Sequence, residues 1–173
     1  MDYSAAKDEF IRAWGTLGTS WGINRTMAQI FALLLISPEP ISVDEIMGEL
    51  KVSRGNASMN LRALMDWGLA QKTSKKGDRK EFYYTDRDTW ALARKVVAVR
   101  RNREIEPILN VLRDVQQVEP GDDANISEFK RVTSELTEVV RTTDQALNLF
   151  MESDKSWILK NLLQILKSRG RQK

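Results

Sequence analysis

The chain has 173 residues, 42% hydrophobic and 29% charged, with a formal net charge of +3, no cysteine and no histidine. That is enough apolar material for one ordinary domain or two small ones, and it excludes disulfides, Cys/His zinc sites and Ser-His or Cys-His catalysis. No glycine-rich phosphate loop occurs, so no residue set supports an enzyme, a metal site or a cofactor.

Residues 1–14, "MDYSAAKDEFIRAW", carry Asp2, Asp8 and Glu9 and lack the apolar core of a signal peptide. The longest apolar run, 30–36, is too short to cross a bilayer. A cytoplasmic location with no membrane partner is therefore expected.

The first predicted element is an amphipathic helix over 4–18 with Phe10, Ile11, Trp14 and Leu17 on one side, broken by "GTSWGIN" at 18–24. Asn24 can cap a second helix, whose Met27, Ile30, Phe31, Leu34 and Leu35 give a broad apolar face. "SPEP" at 37–40 ends it, because proline removes a donor and biases its predecessor away from helix. Ser42 and Glu45 form a capping box for a short helix over 43–50, with Val43, Ile46, Met47 and Leu50 as its stripe. After a three-residue turn, Ser53 caps a further helix that Gly68 stops. Two short helices joined this way make a helix-turn-helix.

That last helix, "SRGNASMNLRALMDWGL" (53–69), opens with residues of weak helix propensity. Ala57, Leu61, Leu64 and Met65 line its packing side. Gly55, Asn56, Met59, Arg62 and Asp66 face away, with Arg54 and Ser58 at the edges. A DNA major groove needs such a surface: small residues let the helix end sit deep, while Asn suits adenine and Arg suits guanine. The Ser53 cap and the free amides at the helix start can hold a phosphate. An ordinary capped helix with a polar outer face would look the same, so the neighbouring segment has to decide.

The pattern next changes to strand-like "LAQKTS" and "KEFYYT" around the turn "KKGD", with Phe82 and Tyr84 sharing one face. Lys75, Lys76, Arg79 and Lys80 cluster at the tip, where a wing would meet the minor groove or flanking backbone. Residues 51–80 hold eight Lys/Arg against Asp66 and Asp78, a net of +6, whereas residues 104–154 carry a net of −8.

Downstream, a helical stretch begins at Asp88 or Thr89 and runs toward Gln117, with Pro107 as a kink or restart. Residues 94–103, "RKVVAVRRNR", are expected as a solvated basic face, with a phosphate-contacting helix as the alternative, and 119–125 as a loop. From Phe129 the residues Val132, Leu136, Val139, Thr143, Ala146 and Phe150 repeat at three- and four-residue steps, a seam suited to a helix–helix interface. A last helix over 155–167 contains Trp157, Ile158, Leu162, Leu163 and Ile165, followed by a basic tail.

The stretch 41–86 resembles the GbsR-like branch of the MarR family of winged-helix regulators. "VSRGNASMNLRALMDWGL" matches the recognition helix and "KKGDRKEFYY" the wing, with Asp78 and Arg79 where such wings carry an acidic–Arg pair. The resemblance implies a homodimer paired through terminal helices on a pseudo-palindromic operator, acting as a repressor.

The expected fold is mainly α: a winged helix-turn-helix DNA-binding domain with a small β-hairpin wing, plus a helical dimerisation region. The expected division is an N-terminal packing helix over 1–20, a DNA-binding domain over 21–90 and a dimerisation region over 91–173. The expected DNA-binding residues are Ser53, Arg54, Gly55, Asn56, Ser58, Met59, Arg62, Lys75, Lys76, Arg79 and Lys80, on double-stranded DNA. Trp21, Trp67, Tyr84 and Trp90 could form a cage for a quaternary-ammonium effector, held by cation–π attraction, or belong to the core. The competing function is a winged-helix protein–protein module whose basic surface meets an acidic partner.

Overall fold

The computed structural model describes residues 1–118 and 124–153, in two compact units, Met1–Leu92 and the chain from Ala93 onward. The expected helix over 155–167 and the basic tail lie outside the described residues.

The first unit begins with α1, Tyr3–Ser20, capped by Asp2, whose side chain accepts from the Ala5 amide at 2.8 Å. Its packing face keeps Ile11 of the expected residues, with Phe10 and Trp14 half-buried, and adds two glycines. Ile11, Gly15 and Gly18 are buried, whereas Leu17 is exposed and Phe10 pairs with Trp14 at a ring separation of 4.9 Å. Helix–helix contact is governed here by closeness of approach: a Cβ on Gly18 would run into the Cβ of Ala28 on α2, Arg25–Ile36. The helix also runs two residues further than its apolar pattern. It ends where Gly22, at φ +71°, lets the Ile23 amide reach back to the Gly18 carbonyl at 2.8 Å.

Helix α2 is the centre of this unit. The Asn24 side chain accepts from the amides of Thr26 and Met27, and Ile30, Ala32, Leu33 and Leu34 are almost wholly buried. Helix α3, Val43–Leu50, carries the complete capping box: Glu45 accepts from the Ser42 amide and hydroxyl, both at 2.7 Å. Lys51 takes the left-handed conformation, with φ 54°, to make the turn into α4, Arg54–Asp66. Ile46, Ala57, Leu61 and Leu64 complete the core with Ile30 and Leu34. Gly68, at φ +67°, ends α4, with the Leu69 amide on the Leu64 carbonyl and its own amide on that of Met65.

Strands β2, Gln71–Ser74, and β3, Glu81–Tyr84, form the expected hairpin, with Lys72 opposite Tyr83 and Thr73 opposite Phe82. A two-residue strand that the sequence pattern does not announce, β1 (Ile41–Ser42), pairs antiparallel with β3, giving the order β1-β3-β2. Phe82 and Tyr83 are both buried, although alternation predicts that one should face water. Burial and the Glu81 carboxylate, which accepts from the Tyr83 hydroxyl at 2.9 Å, push that hydroxyl up to about 12. The base of the hairpin is closed by Thr85, whose buried hydroxyl donates to the Leu69 carbonyl at 2.7 Å. The Arg87 guanidinium donates to the carbonyls of Ser37 and Pro38, each at 2.7 Å, satisfying the chain end after α2.

The described part of the second unit is helical. Helix α5, Thr89–Arg100, starts at Asp88, whose carboxylate accepts from the Trp90 and Ala91 amides. It passes through a π-helical turn, Arg101–Ile105, into α6, Glu106–Val115. Pro107, near the start of α6, lacks an N–H to give the preceding turn, which accounts for the wider winding there. Helix α7, Ala124–Glu152, packs on α6 through polar groups. Gln116 donates to the Thr137 hydroxyl at 2.8 Å and to the Thr133 carbonyl, and both threonines are buried. Arg101 meets Asp144 at 2.7 Å, an ion pair less than one-quarter exposed on either side.

Residues 94–103 are therefore not simply a solvated face. Arg94 donates to the Ser153 carbonyl and Arg101 is bound to Asp144, because these positions face α7. The apolar seam behaves in the opposite way. Phe129, Val132, Leu136 and Val139 are exposed in the single chain, as are Ile108 and Val111 on α6.

Candidate nucleic-acid interface

The Ser53 hydroxyl accepts from the Asn56 amide at 3.3 Å, setting the first turn of α4. Packing of Ala57, Leu61 and Leu64 on the core then turns the opposite side outward. On that side Gly55 and Arg62 are exposed, Met59 is 56% exposed, and Asn56 and Ser58 are half-buried. A Cβ on Gly55 would meet nothing within 4 Å, so the start of the helix has open space before it. Arg62 lies along its own helix, with Nε at 3.5 Å from the Ser58 carbonyl.

The wing tip is a tight turn in which the Asp78 amide donates to the Lys75 carbonyl at 3.0 Å and Gly77 takes φ +85°. Lys75 folds back over the Phe82 ring, its ammonium 4.4 Å from the centroid. Asp78 accepts from the Lys80 amide at 2.9 Å, shaping the turn. Lys76 and Arg79 are exposed and make no ion pair among the described residues.

Asp44, on α3, joins these two elements. One of its oxygens accepts from the Arg54 guanidinium at the start of α4, and the other lies 3.2 Å from the Lys80 ammonium on the wing. The Lys80 hydrogen bond and the nearby Arg54 charge hold the Asp44 carboxyl below its ordinary range. An acid shared by two exposed cations is a placeholder that a phosphate could replace, because it presents the same charge and acceptor type. Asp44 and the buried Asn60, which bonds to Asn56, do not stand out in the sequence. Their roles depend on which elements fold against them.

The four aromatics expected for an effector cage belong to four different elements. Trp21 caps α1 and is half-exposed, Trp67 caps α4, Tyr84 ends β3 with its hydroxyl on Gln71, and Trp90 begins α5. A cleft of about 650 Å³ in this unit is lined by Tyr3, Leu33, Ile36, Pro38, Ile41 and Glu49, among others, and by none of the four. No group of three or more acidic residues arranged for a metal occurs among the described residues, and no helix there is long and apolar enough to cross a membrane.

Comparison with known proteins places these residues in context. The model of the MarR family matches residues 21–81. The chain is 20% identical over 163 residues to YvaV of Bacillus subtilis (strain 168), which carries an HTH-type transcriptional regulator name; the match covers 86% of this chain and 89% of that protein. It is 24% identical over 134 residues to the HTH-type transcriptional regulator MmpR5 of Mycobacterium tuberculosis (strain ATCC 25618 / H37Rv), covering 76% and 81%. A crystal structure of a transcriptional regulator aligns with a TM-score of 0.56 at 21% identity, over 86% of this chain and 99% of the other. That likeness is one of fold.

Proposed function

We infer that this chain, whose residues 21–81 match the MarR-family model, is a DNA-binding transcriptional regulator. The observation that carries the reading is Asp44, which holds Arg54 of α4 and Lys80 of the wing at once. Two basic elements that a duplex would need to meet together therefore lie on one surface. Asn56, Ser58, Met59 and Arg62 read base edges, and Gly55 lets the helix end approach them. Ser53, Arg54, Lys75, Lys76, Arg79 and Lys80 hold phosphates or the wing's groove.

The active form in this reading is a homodimer in the cytoplasm. Support comes from the exposed seam Phe129, Val132, Leu136 and Val139, which a second copy would cover. Two recognition helices would then lie about 34 Å apart, or a multiple, on a pseudo-palindromic operator, where the bound protein acts as a repressor. Support for the GbsR-like branch comes from the sequence resemblance over 41–86. An effector response would involve Trp21, Trp67, Tyr84 and Trp90, and would require a ligand that prefers one dimer geometry. Choline or betaine at millimolar concentration, with a neutral polyol as control, tests it through tryptophan fluorescence and operator affinity together.

The deciding experiment is a titration on specific and scrambled duplexes. Arg62→Ala should lose about 1–3 kcal/mol of discrimination if it makes a bidentate guanine contact. Lys76→Ala and Arg79→Ala should weaken both duplexes alike and flatten the salt dependence. Absence of any DNA binding at physiological salt would favour the protein–protein module instead.

A further inference from the structure

Asn60 is the one buried amide on the packing side of α4, 3% exposed among Ala57, Leu61 and Leu64. Its Nδ2 lies 2.9 Å from the Asn56 main-chain carbonyl and 2.6 Å from Asn56 Oδ1. A main-chain carbonyl only accepts, so the atom of Asn60 that faces it must be the nitrogen. The same nitrogen touches the Asn56 side chain, so Asn56 must turn its oxygen inward. One NH2 group thus serves two acceptors, and both amides are fixed in orientation.

The consequence appears on the outer face. Asn56 is half-buried in the first turn of α4, beside Gly55 and the exposed Met59. With its oxygen held by Asn60, it offers a groove its two N–H donors. An asparagine that reads adenine needs both atoms, accepting from N6 and donating to N7. Donors alone suit guanine better, because N7 and O6 both accept, whereas the adenine amino group opposes them. The general pairing of Asn with adenine, expected from residue type, therefore does not hold at this position.

Resting on the DNA-binding reading above, we propose that Asn60 is a positioning residue that locks the Asn56 amide nitrogen outward, so that this turn of the helix selects guanine over adenine. Asn60 itself touches no base.

The test uses the full-length protein and a site selected from random duplexes. Asn56→Ala identifies the base pair read, as the one position where discrimination collapses. Guanine is expected there, and replacing it by 7-deazaguanine, which lacks the N7 acceptor, should weaken wild-type binding by about threefold to tenfold while leaving Asn56→Ala unaffected. Asn60→Leu keeps the branched shape and the apolar surroundings, though it is bulkier, and frees the Asn56 amide to turn. The guanine-over-adenine preference at that one pair should fall by about tenfold, with affinity for scrambled duplex and preferences elsewhere unchanged. Adenine selected by the wild type, or a preference that Asn60→Leu leaves intact, overturns the proposal while the DNA-binding reading stands. A wild-type protein that binds no duplex overturns both. Where Asn60→Leu does not fold, Asn60→Ala removes the same donor and should show the same loss of preference, while the 7-deazaguanine measurement on the wild type tests the guanine contact by itself.

Discussion

Gly18→Ala sets two opposing effects against each other at the crossing of α1 and α2. Replacing a helical glycine by alanine favours folding by about 1 kcal/mol when the new methyl has room. At Gly18 it has none, since its Cβ would overlap the Cβ of Ala28 by about an ångström or more relative to ordinary contact. Both methyls are fixed to helical backbone, so neither can rotate away and the helices must separate. Ala28 belongs to the buried face that includes Met27, Ile30 and Leu34, and separation loosens that packing. Overpacking of this kind costs about 1–3 kcal/mol, so the net expectation is a loss of about 1 kcal/mol, and up to 2. Urea unfolding followed by tryptophan fluorescence measures it, because Trp14, Trp21, Trp67 and Trp90 all lie in the first unit. Gly48→Ala, where a Cβ meets nothing within 4 Å, should instead stabilise by about 0.5–1 kcal/mol. The pair Gly18→Ala/Ala28→Gly should be more stable than the two single changes predict by about 1 kcal/mol or more. Equal stabilisation by Gly18→Ala and Gly48→Ala would refute the close crossing.

Asp44→Asn should free Arg54 and Lys80 and tighten binding to specific and scrambled duplexes alike, on the order of twofold to tenfold at low salt and less as salt rises; weaker binding would mean that Asp44 serves to present these cations to DNA. Leu136→Lys, at an exposed seam position outside the chain's own core, should leave helical content unchanged yet raise the dimer dissociation constant by about tenfold or more in sedimentation; a wild-type monomer at micromolar concentration that still binds a half-site tightly would remove the dimer from the reading. Glu45→Ala should cost about 1 kcal/mol at neutral pH through loss of the capping box. The Ser42 hydroxyl and amide hold the Glu45 carboxyl below its ordinary value of 4.5, so this contribution is complete above that value and is lost as pH falls through the lowered one. Acid titration of the two proteins' stabilities should therefore show their difference closing as pH falls below 4.5.

Local signals are legible in the amino-acid order alone. Asn24, Ser42 with Glu45, Ser53 and Gly68 sit where helices start or stop, and the structure uses each of them, because a cap is satisfied by atoms within a few residues. The hairpin around Gly77 and the apolar side of α4 were legible for the same reason. Tertiary structure decided whatever depends on distant partners. Strand β1 exists only because β3 offers it a ladder, and Phe82 and Tyr83 are both buried in a sheet that two-residue alternation alone does not describe. On α1, Gly15 and Gly18 join Ile11 on the packing face, a close approach to α2 that apolar periodicity does not report. On α7 the chain spends threonines, Gln116 and the Arg101–Asp144 pair on its own contact with α6 and leaves its apolar seam outward, a division that hydrophobic periodicity could not assign to one partner or the other. Asp44 and Asn60 became informative only when folding placed a carboxylate between two cations and an amide beneath Asn56, because hydrogen-bond direction is a property of neighbours in space.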